Sequence, residues 1–202
     1  MASTLTPRGT ATRARIVEVS AALMAAGGVA GTSLDDVRRA SETSKSQLYH
    51  YFQDKADLVR AVIAHQGAAV LSEQRLDSEP IDSLDALRRW RYRTVAAQRA
   101  AGFGRGCRLG RLAAELADAD ERTRDGLAAA FAAWEQGLAT GLTTMLQRRL
   151  LRPDADPAVL ATGLLTSLQG GSLLSTLTRD ARPLQTALDQ AVAQIVALAI
   201  DT

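Results

Sequence analysis

The chain has 202 residues, a length that fits either one large domain or a small domain joined to a medium one. Hydrophobic residues make up 47% of it, which excludes a disordered chain, and the formal net charge of +2 does not by itself indicate a nucleic-acid-binding protein. Alanine and leucine dominate while valine, isoleucine and aromatic residues are few, so we expect an all-α fold.

Cysteine usage and apolar patterning bear on the compartment. The single cysteine, Cys107, cannot form an intrachain disulfide and gives no sign of an oxidising environment. Residues 1–12 contain no apolar run of signal-peptide length, and polar residues interrupt the later apolar stretches before they reach about 18 residues. We therefore expect a cytoplasmic protein that does not enter a membrane.

The N-terminal region predicts three helices before residue 53. Apolar spacing predicts a first helix over 12–26, with Gly27 and Gly28 ending it. Ser33 can cap a short second helix, and Ser44 can cap a third that closes at Phe52 after a turn of about three residues, the length of a helix-turn-helix. The expected inward positions of the first two helices are Ile16, Val19, Leu23, Leu34, Val37 and Ala40.

The rest of the chain also reads as helix. Asp54 can cap a fourth helix over 55–74, and a fifth begins at Leu84 and reaches the interruption at Gly102–Gly106. Further helices are predicted over residues 109–117, 123–151, 157–178 and 183–200. Between Arg88 and Arg111 there are eight arginines and no acidic residue, for which a solvated basic face is the default interpretation.

Three N-terminal segments carry the most specific signal, namely Thr32–Val37, Ser44–Phe52 and Asp54–Leu58. Together they resemble the DNA-binding domain of the TetR family of repressors, a match that extends over residues 12–63. The resemblance implies a helix-turn-helix domain over 1–53 and a helical domain for ligand binding and dimerisation over 54–202. It also implies double-stranded operator DNA, a second copy of the chain and a small-molecule inducer as partners, with no cofactor or metal.

The third helix can present its N-terminal residues to base edges in the major groove. Gln47 can pair with adenine and Lys45 with guanine, each at roughly 1–3 kcal/mol of discrimination, whereas Ser46 is less selective. The remaining predicted DNA contacts, mostly to phosphates, are Thr32, Ser33, Ser44, Tyr49, His50 and Lys55, with Arg8, Arg13 and Arg15 adding salt-sensitive contacts from a leading arm.

Some positions in this motif have a second interpretation. Leu48, Tyr51 and Phe52 are of types that usually lie in the core, and an isolated lysine is usually a solvated charge. The turn departs from the family pattern: Glu42 stands where glycine is usual and Thr43 where valine is usual, and Ser46 replaces a common glycine. Glu42 also adds negative charge near phosphate.

In the second half, Gly106–Gly110 and Leu168–Gly171 resemble the LmrA/YxaF branch of the family, which implies an apolar, aromatic ligand of flavonoid type. The predicted ligand-binding residues are His65, Trp90, Phe103, Cys107, Phe131, Trp134, Met145 and Gln169. Core packing is the alternative for each aromatic residue, and a small buried hydrophobe rather than a redox sensor is the alternative for Cys107.

The last two predicted helices offer more apolar surface than one small bundle needs, and Gly163, Gly170 and Gly171 would let two backbones approach closely. We therefore expect a homodimer with a four-helix interface, which requires a near-palindromic operator with recognition helices about 34–36 Å apart. An enzyme is disfavoured, since the chain has no phosphate-binding glycine loop, no metal-ligand cluster and only two histidines. A helical binding protein without DNA affinity, and an activator instead of a repressor, remain alternatives.

Overall fold

The structure is a computed structural model that describes residues 6–103, 106–116 and 118–200. Within these ranges the chain forms nine helices, and the β-type pairing is an isolated antiparallel bridge between Leu151 and Ala199. The helices are α1 Pro7–Gly27, α2 Leu34–Ala40, α3 Lys45–Tyr51, α4 Lys55–Gln74, α5 Leu84–Ala100, α6 Arg108–Glu115, α7 Glu121–Gln147, α8 Pro157–Thr178 and α9 Arg182–Val196. The expected all-α fold is confirmed.

The first helix begins earlier than its apolar pattern predicts. Thr6 caps α1, because its hydroxyl oxygen accepts a hydrogen bond from the Gly9 N–H at 3.2 Å, and Pro7 occupies a first-turn position that favours proline. Arg8 therefore lies on a helix and not in a leading arm, which corrects the sequence expectation.

Two helices end earlier than expected, α7 at Gln147 and α9 at Val196. The residues that follow them pair with each other through the backbone. The Arg152 N–H donates to the Leu198 carbonyl at 2.8 Å, and the Ile200 N–H donates to the Leu150 carbonyl at 3.1 Å. This pairing joins segments nearly fifty residues apart, so no local pattern could have predicted it.

The described residues form two compact units. One comprises the chain up to Ala68 together with Leu112–Ala130, and the other comprises Ala69–Arg111 together with the chain from Phe131 onward. The helices α4, α6 and α7 each contribute residues to both units. The predicted boundary at residue 53 divides the chain by function and stays a prediction.

The core of the first unit includes a stripe of α1 that differs slightly from the predicted one. Ile16 and Met24 are buried, whereas Val19 and Leu23 are only half-buried. Ser20 also lies in this stripe, because its hydroxyl donates to the Ile16 carbonyl at 2.7 Å and so needs no water. The other buried residues of the first three helices and their ends include Val17, Ala21, Val37, Leu48 and Phe52.

In the second unit, α8 packs along α9. A Cβ atom on Gly171 would lie only 2.7 Å from the Leu184 Cα, so the close approach of these helices requires glycine there. By length and composition α8 also passes as a membrane span, with a mean hydropathy of 1.2 over 18 residues, 44% of them buried. Its polar residues are thus weaker interruptions than predicted, and packing against α9 accounts for the apolar character of its buried side only.

Candidate nucleic-acid interface and ligand cavity

The second helix begins with a reciprocal cap. The Asp36 N–H donates to the Ser33 Oγ at 3.1 Å, and the Ser33 N–H donates to the Asp36 Oδ2 at 3.0 Å. Hydrogen bonds from the Ser33 side chain and backbone, together with Arg39, lower the pKa of Asp36 to about 2. The carboxylate is therefore ionised at the positive end of the α2 dipole, where it stabilises the helix start.

The third helix begins with the same kind of reciprocal cap, eleven residues further along the chain. The Gln47 N–H donates to the Ser44 Oγ at 3.2 Å, and the Ser44 N–H donates to the Gln47 Oε1 at 2.9 Å. Lys45, Ser46 and Gln47 are all exposed, as a groove-reading helix requires. The cap uses one lone pair of the Gln47 carbonyl oxygen, so in bidentate pairing with adenine this oxygen would be shared between the cap and the base.

The turn between α2 and α3 keeps the helix-turn-helix geometry despite its unusual sequence. Glu42 adopts φ +52, the left-handed conformation that glycine adopts most easily. The hydroxyls of Ser41 and Thr43 lie 2.9 Å apart in a buried pair, and the Arg15 Nε donates to the Ser41 carbonyl at 3.1 Å. These contacts hold a conformation that costs a non-glycine residue roughly 1–2 kcal/mol.

The predicted phosphate contacts fall into two groups. Ser33, Tyr49 and His50 are exposed, and Lys55 is half-buried with its Nζ 3.5 Å from the Ala30 carbonyl. Thr32 is only 4% exposed, and its hydroxyl donates to the Gly28 carbonyl at 2.8 Å. The Thr32 side chain therefore has a partner within the protein and shapes the turn before α2, and its predicted phosphate contact stays a prediction.

Long-range contacts support this region and were not visible in the sequence. The Ala30 N–H donates to the Glu115 Oε1 at 2.9 Å, so the end of α6 holds the turn between α1 and α2. The Arg13 guanidinium lies 5.1 Å from the centre of the Phe52 ring, a cation–π contact. Of the three predicted arm residues, Arg13 and Arg15 thus have partners within the protein.

The second unit contains a half-open cavity of about 830 Å³. Its wall comes from the end of α4, the length of α5, the start of α6 and single turns of α7 and α8. The lining residues are Val70, Ser72, Glu73, Gln74, Arg75, Trp90, Arg93, Thr94, Ala97, Gln98, Ala101, Gly106, Cys107, Arg108, Trp134, Leu168 and Ser172. The size lies within the range typical of small-molecule sites.

Three of the predicted ligand-binding residues, Trp90, Cys107 and Trp134, line this cavity. The other five do not line it, because their positions in the fold keep their side chains away from the cavity surface. His65 is exposed on α4 before the segment that reaches the cavity, and Phe103 lies in a left-handed turn after α5. Met145 is fully buried in the core.

The remaining two lie close to the lining without belonging to it. Phe131 stacks against Trp134 with ring centres 6.5 Å apart and planes 12° apart. Gln169 supports the wall instead of forming it, because its Nε2 lies 3.5 Å from the Cys107 Sγ. Both residues therefore belong to the shell behind the cavity.

The cavity is more polar than the sequence analysis expected. The Trp90 Nε1 donates to the Gln74 Oε1 at 2.8 Å, and the Trp134 Nε1 is buried without a hydrogen-bond partner in the described structure. Arg93 and Arg108 also line the space. Both arginines belong to the arginine-rich stretch that was interpreted as a solvated face. Because Arg93 follows Trp90 by three residues, helical spacing could have placed it on the same inward face as Trp90.

One face of α8 is apolar and exposed. Leu173 is 70% and Leu177 78% exposed, and Val159 lies on the same side of the helix. Gly163 and Gly170 have open space where a Cβ atom would be. Such a face is unusual for a helix that is otherwise packed against its neighbours.

A capped recognition helix after a short turn, with a separate helical unit around a cavity, defines a helix-turn-helix transcription regulator. Residues 16–62 match the model of bacterial regulatory proteins of the tetR family, and residues 83–191 match the tetracyclin repressor-like C-terminal domain. The chain belongs to the TetR family of DNA-binding transcriptional regulators, as its N-terminal motif predicted.

Similar proteins agree with this assignment. An uncharacterized HTH-type transcriptional regulator in the lacX 3′ region of Lactococcus lactis is 28% identical, over 88% of this chain and 90% of the relative. The uncharacterized HTH-type transcriptional regulator YxaF of Bacillus subtilis is 27% identical, over 89% of this chain and 92% of the relative. A TetR family regulator from Cytophaga hutchinsonii has the same fold, with a TM-score of 0.82 and 21% identity. The match covers 98% of this chain and 100% of that structure.

Proposed function

We propose that this regulator is a cytoplasmic homodimeric repressor, which a small apolar or aromatic molecule releases from a near-palindromic operator. The observation that carries the proposal is the pairing of an exposed N-terminal end of α3 with a cavity of about 830 Å³ in the other unit. The match to a repressor-like C-terminal domain supports repression over activation. No cofactor or metal enters the proposal.

We assign base contacts to Lys45, Ser46 and Gln47, and phosphate contacts to the exposed residues Ser33, Tyr49, His50 and to Lys55. Gln47→Glu separates the two roles of this residue, because glutamate can retain the reciprocal cap but cannot donate to a base. We expect Gln47→Glu to keep the stability of the wild type and lose operator preference. Lys55→Ala should weaken binding to all duplexes about equally. Wild-type operator binding by both variants would contradict the assignment.

The proposed dimer interface combines the exposed apolar face of α8 with α9. A second copy would cover Leu173 and Leu177, and the glycines on that face would allow close helix packing. Leu177→Glu should shift the protein to monomers in analytical ultracentrifugation. Tyr92→Glu is the matched control, since Tyr92 is also a large exposed side chain, 70% exposed on α5, and lies outside the proposed interface. A Leu177→Glu variant that remains dimeric would place the interface elsewhere.

For the switch we propose movement of α4, which begins at Lys55 in the DNA-binding unit and ends in the cavity wall at Gln74. Ligand in the cavity would shift this helix and change the separation of the two recognition helices. A coupling of about 1–3 kcal/mol would change operator affinity by roughly 5- to 150-fold.

The decisive experiment measures binding of the purified protein to the DNA that flanks its own gene, with excess random competitor and at two salt concentrations. Sequence-specific binding that weakens with salt is expected. Absence of sequence preference at low salt would overturn the proposal and favour a helical binding protein, for which the negative charge of Glu42 at the turn would be one cause.

A further inference from the structure

We infer that the cavity is adapted to an aromatic carboxylate, whose ring contacts Trp90 and Trp134 and whose carboxylate pairs with Arg93. This inference rests on the proposed function, because it takes the cavity as the inducer site and adds the charge of the ligand. It narrows the proposed class of inducer from a small apolar or aromatic molecule to an aromatic molecule with one negative charge.

The first argument is charge balance around the cavity. Three guanidinium groups, those of Arg75, Arg93 and Arg108, line it against one carboxylate, Glu73. Arg108 pairs with Glu73, while Arg75 and Arg93 both pair with the single carboxylate of Glu79. The wall and its ion-pair partners therefore hold three positive and two negative charges, and one anionic ligand group would neutralise the excess.

Arg93 is the best placed of the three. It lies on the cavity face of α5, one turn after Trp90 and one turn before Ala97, and its side chain is 34% exposed. A guanidinium has five N–H donors in a rigid fork, and the Glu79 contact uses the Nη1 group. Further donors remain for a carboxylate, which a guanidinium can bind in bidentate fashion. Arg75 is mostly exposed and less protected from water.

The second argument concerns the apolar part of the wall. Trp90 and Trp134 line the cavity beside the buried aliphatic residues Val70 and Leu168, but only 1% and 2% of the two tryptophans is exposed, so a bound ring would displace part of the wall to contact them. Indole rings offer flat faces that favour aromatic partners. Buried aromatic surface and a half-buried guanidinium thus line one space, and an aromatic acid has groups that match both.

A matched pair of probes tests the charge directly. We would titrate 2-naphthoate and its neutral amide, 2-naphthamide, into the full-length protein by isothermal titration calorimetry. The two probes have nearly the same shape, so their affinity ratio reports the carboxylate. We expect the acid to bind roughly tenfold to a hundredfold more tightly than the amide, the effect of a hydrogen bond to a charged group.

Arg93→Gln assigns the preference to one residue, and Arg89→Gln is the control, an exposed arginine on α5 outside the cavity lining. Arg93→Gln should bind the acid and the amide equally while its amide affinity stays that of the wild type. Arg89→Gln should keep the full preference. The ratio of acid affinity to amide affinity is measured on the wild-type protein, so the preference for a negatively charged ligand is tested even if Arg93→Gln does not fold.

Three results would overturn the inference: an amide that binds as tightly as the acid, an acid preference that survives Arg93→Gln, or a folded protein that binds neither probe. These failures differ from failure of the proposed function. If the amide bound and released operator DNA, ligand-responsive regulation would stand without an anionic ligand. If the protein bound the acid but no specific duplex, the ligand class would stand without the repressor.

Discussion

The helix-turn-helix and the cavity are specified over very different distances along the chain. The caps of α2 and α3 each join residues three positions apart, Ser33 with Asp36 and Ser44 with Gln47. The cavity wall instead combines residues of five helices and of the segment before α6, with supporting contacts such as Cys107 to Gln169 over 62 positions. Local chemistry is visible in a sequence, whereas the partners of a cavity wall become known only when the chain is folded.

The largest effect we expect comes from a long-range contact. Gly171→Ala places a Cβ atom against the Leu184 backbone, so α8 and α9 must separate, and we expect a loss of about 1–3 kcal/mol. Chemical denaturation at fixed protein concentration measures it. Gly126→Ala is the control, because a Cβ atom there would make only an ordinary contact, 3.9 Å from the Ile63 Cγ2, and alanine within α7 should be neutral or stabilise the helix by up to about 1 kcal/mol. Equal effects at Gly171 and Gly126 would show that α8 and α9 do not depend on this approach.

The same contrast explains what the sequence could predict. The bounds of α4 and α8 follow from apolar spacing, from a cap at Asp54 and from Pro157 at the first position of α8, and both helices have their expected ends. The start of α3 follows from Ser44. These signals all act within about one helical turn.

Features that depend on distant residues were missed or misassigned. Glu115 binds the backbone of Ala30 over 85 positions, and no pattern near either residue indicates it. Arg93 was interpreted as part of a solvated basic stretch, because the sequence does not show that residues of α4 and α8 form a cavity beside it.

The next largest effect concerns the cap at the start of α3, which depends on residues close together in the sequence. Ser44→Ala removes the oxygen that accepts the Gln47 N–H, and we expect a loss of about 1 kcal/mol and weaker operator binding, because the start of α3 frays. Ser46→Ala is the control for stability, since Ser46 is exposed and does not cap the helix. If thermal unfolding showed the same stability for Ser44→Ala and the wild type, the cap would not define the start of the helix.

Glu42 gives a smaller and opposite effect. Glu42→Gly relieves the left-handed conformation at φ +52, and we expect a gain of up to about 1 kcal/mol, reduced by the greater freedom of glycine in the unfolded chain. Glu42→Gln removes the charge but keeps the strain. Both variants should bind DNA more tightly, and only Glu42→Gly should unfold at higher temperature. If Glu42→Gln were more stable than the wild type, the destabilising effect of Glu42 would come from its charge and not from its backbone conformation.

The smallest effect is a pH dependence at the start of α2. The folded-state pKa of Asp36, about 2, lies below the usual value of 3.8, because Ser33 and Arg39 stabilise the carboxylate. The stabilisation is therefore complete above about pH 4 and disappears as pH falls toward 2. Asp36→Asn should remove this part of the acid dependence in urea unfolding between pH 5 and 2. Asp35→Asn should keep it, because Asp35 pairs with Arg38 and takes no part in the cap. Since Asp36 lies at the protein surface, the difference is expected to be small, and an equal acid dependence in both variants would show that the cap is open in solution.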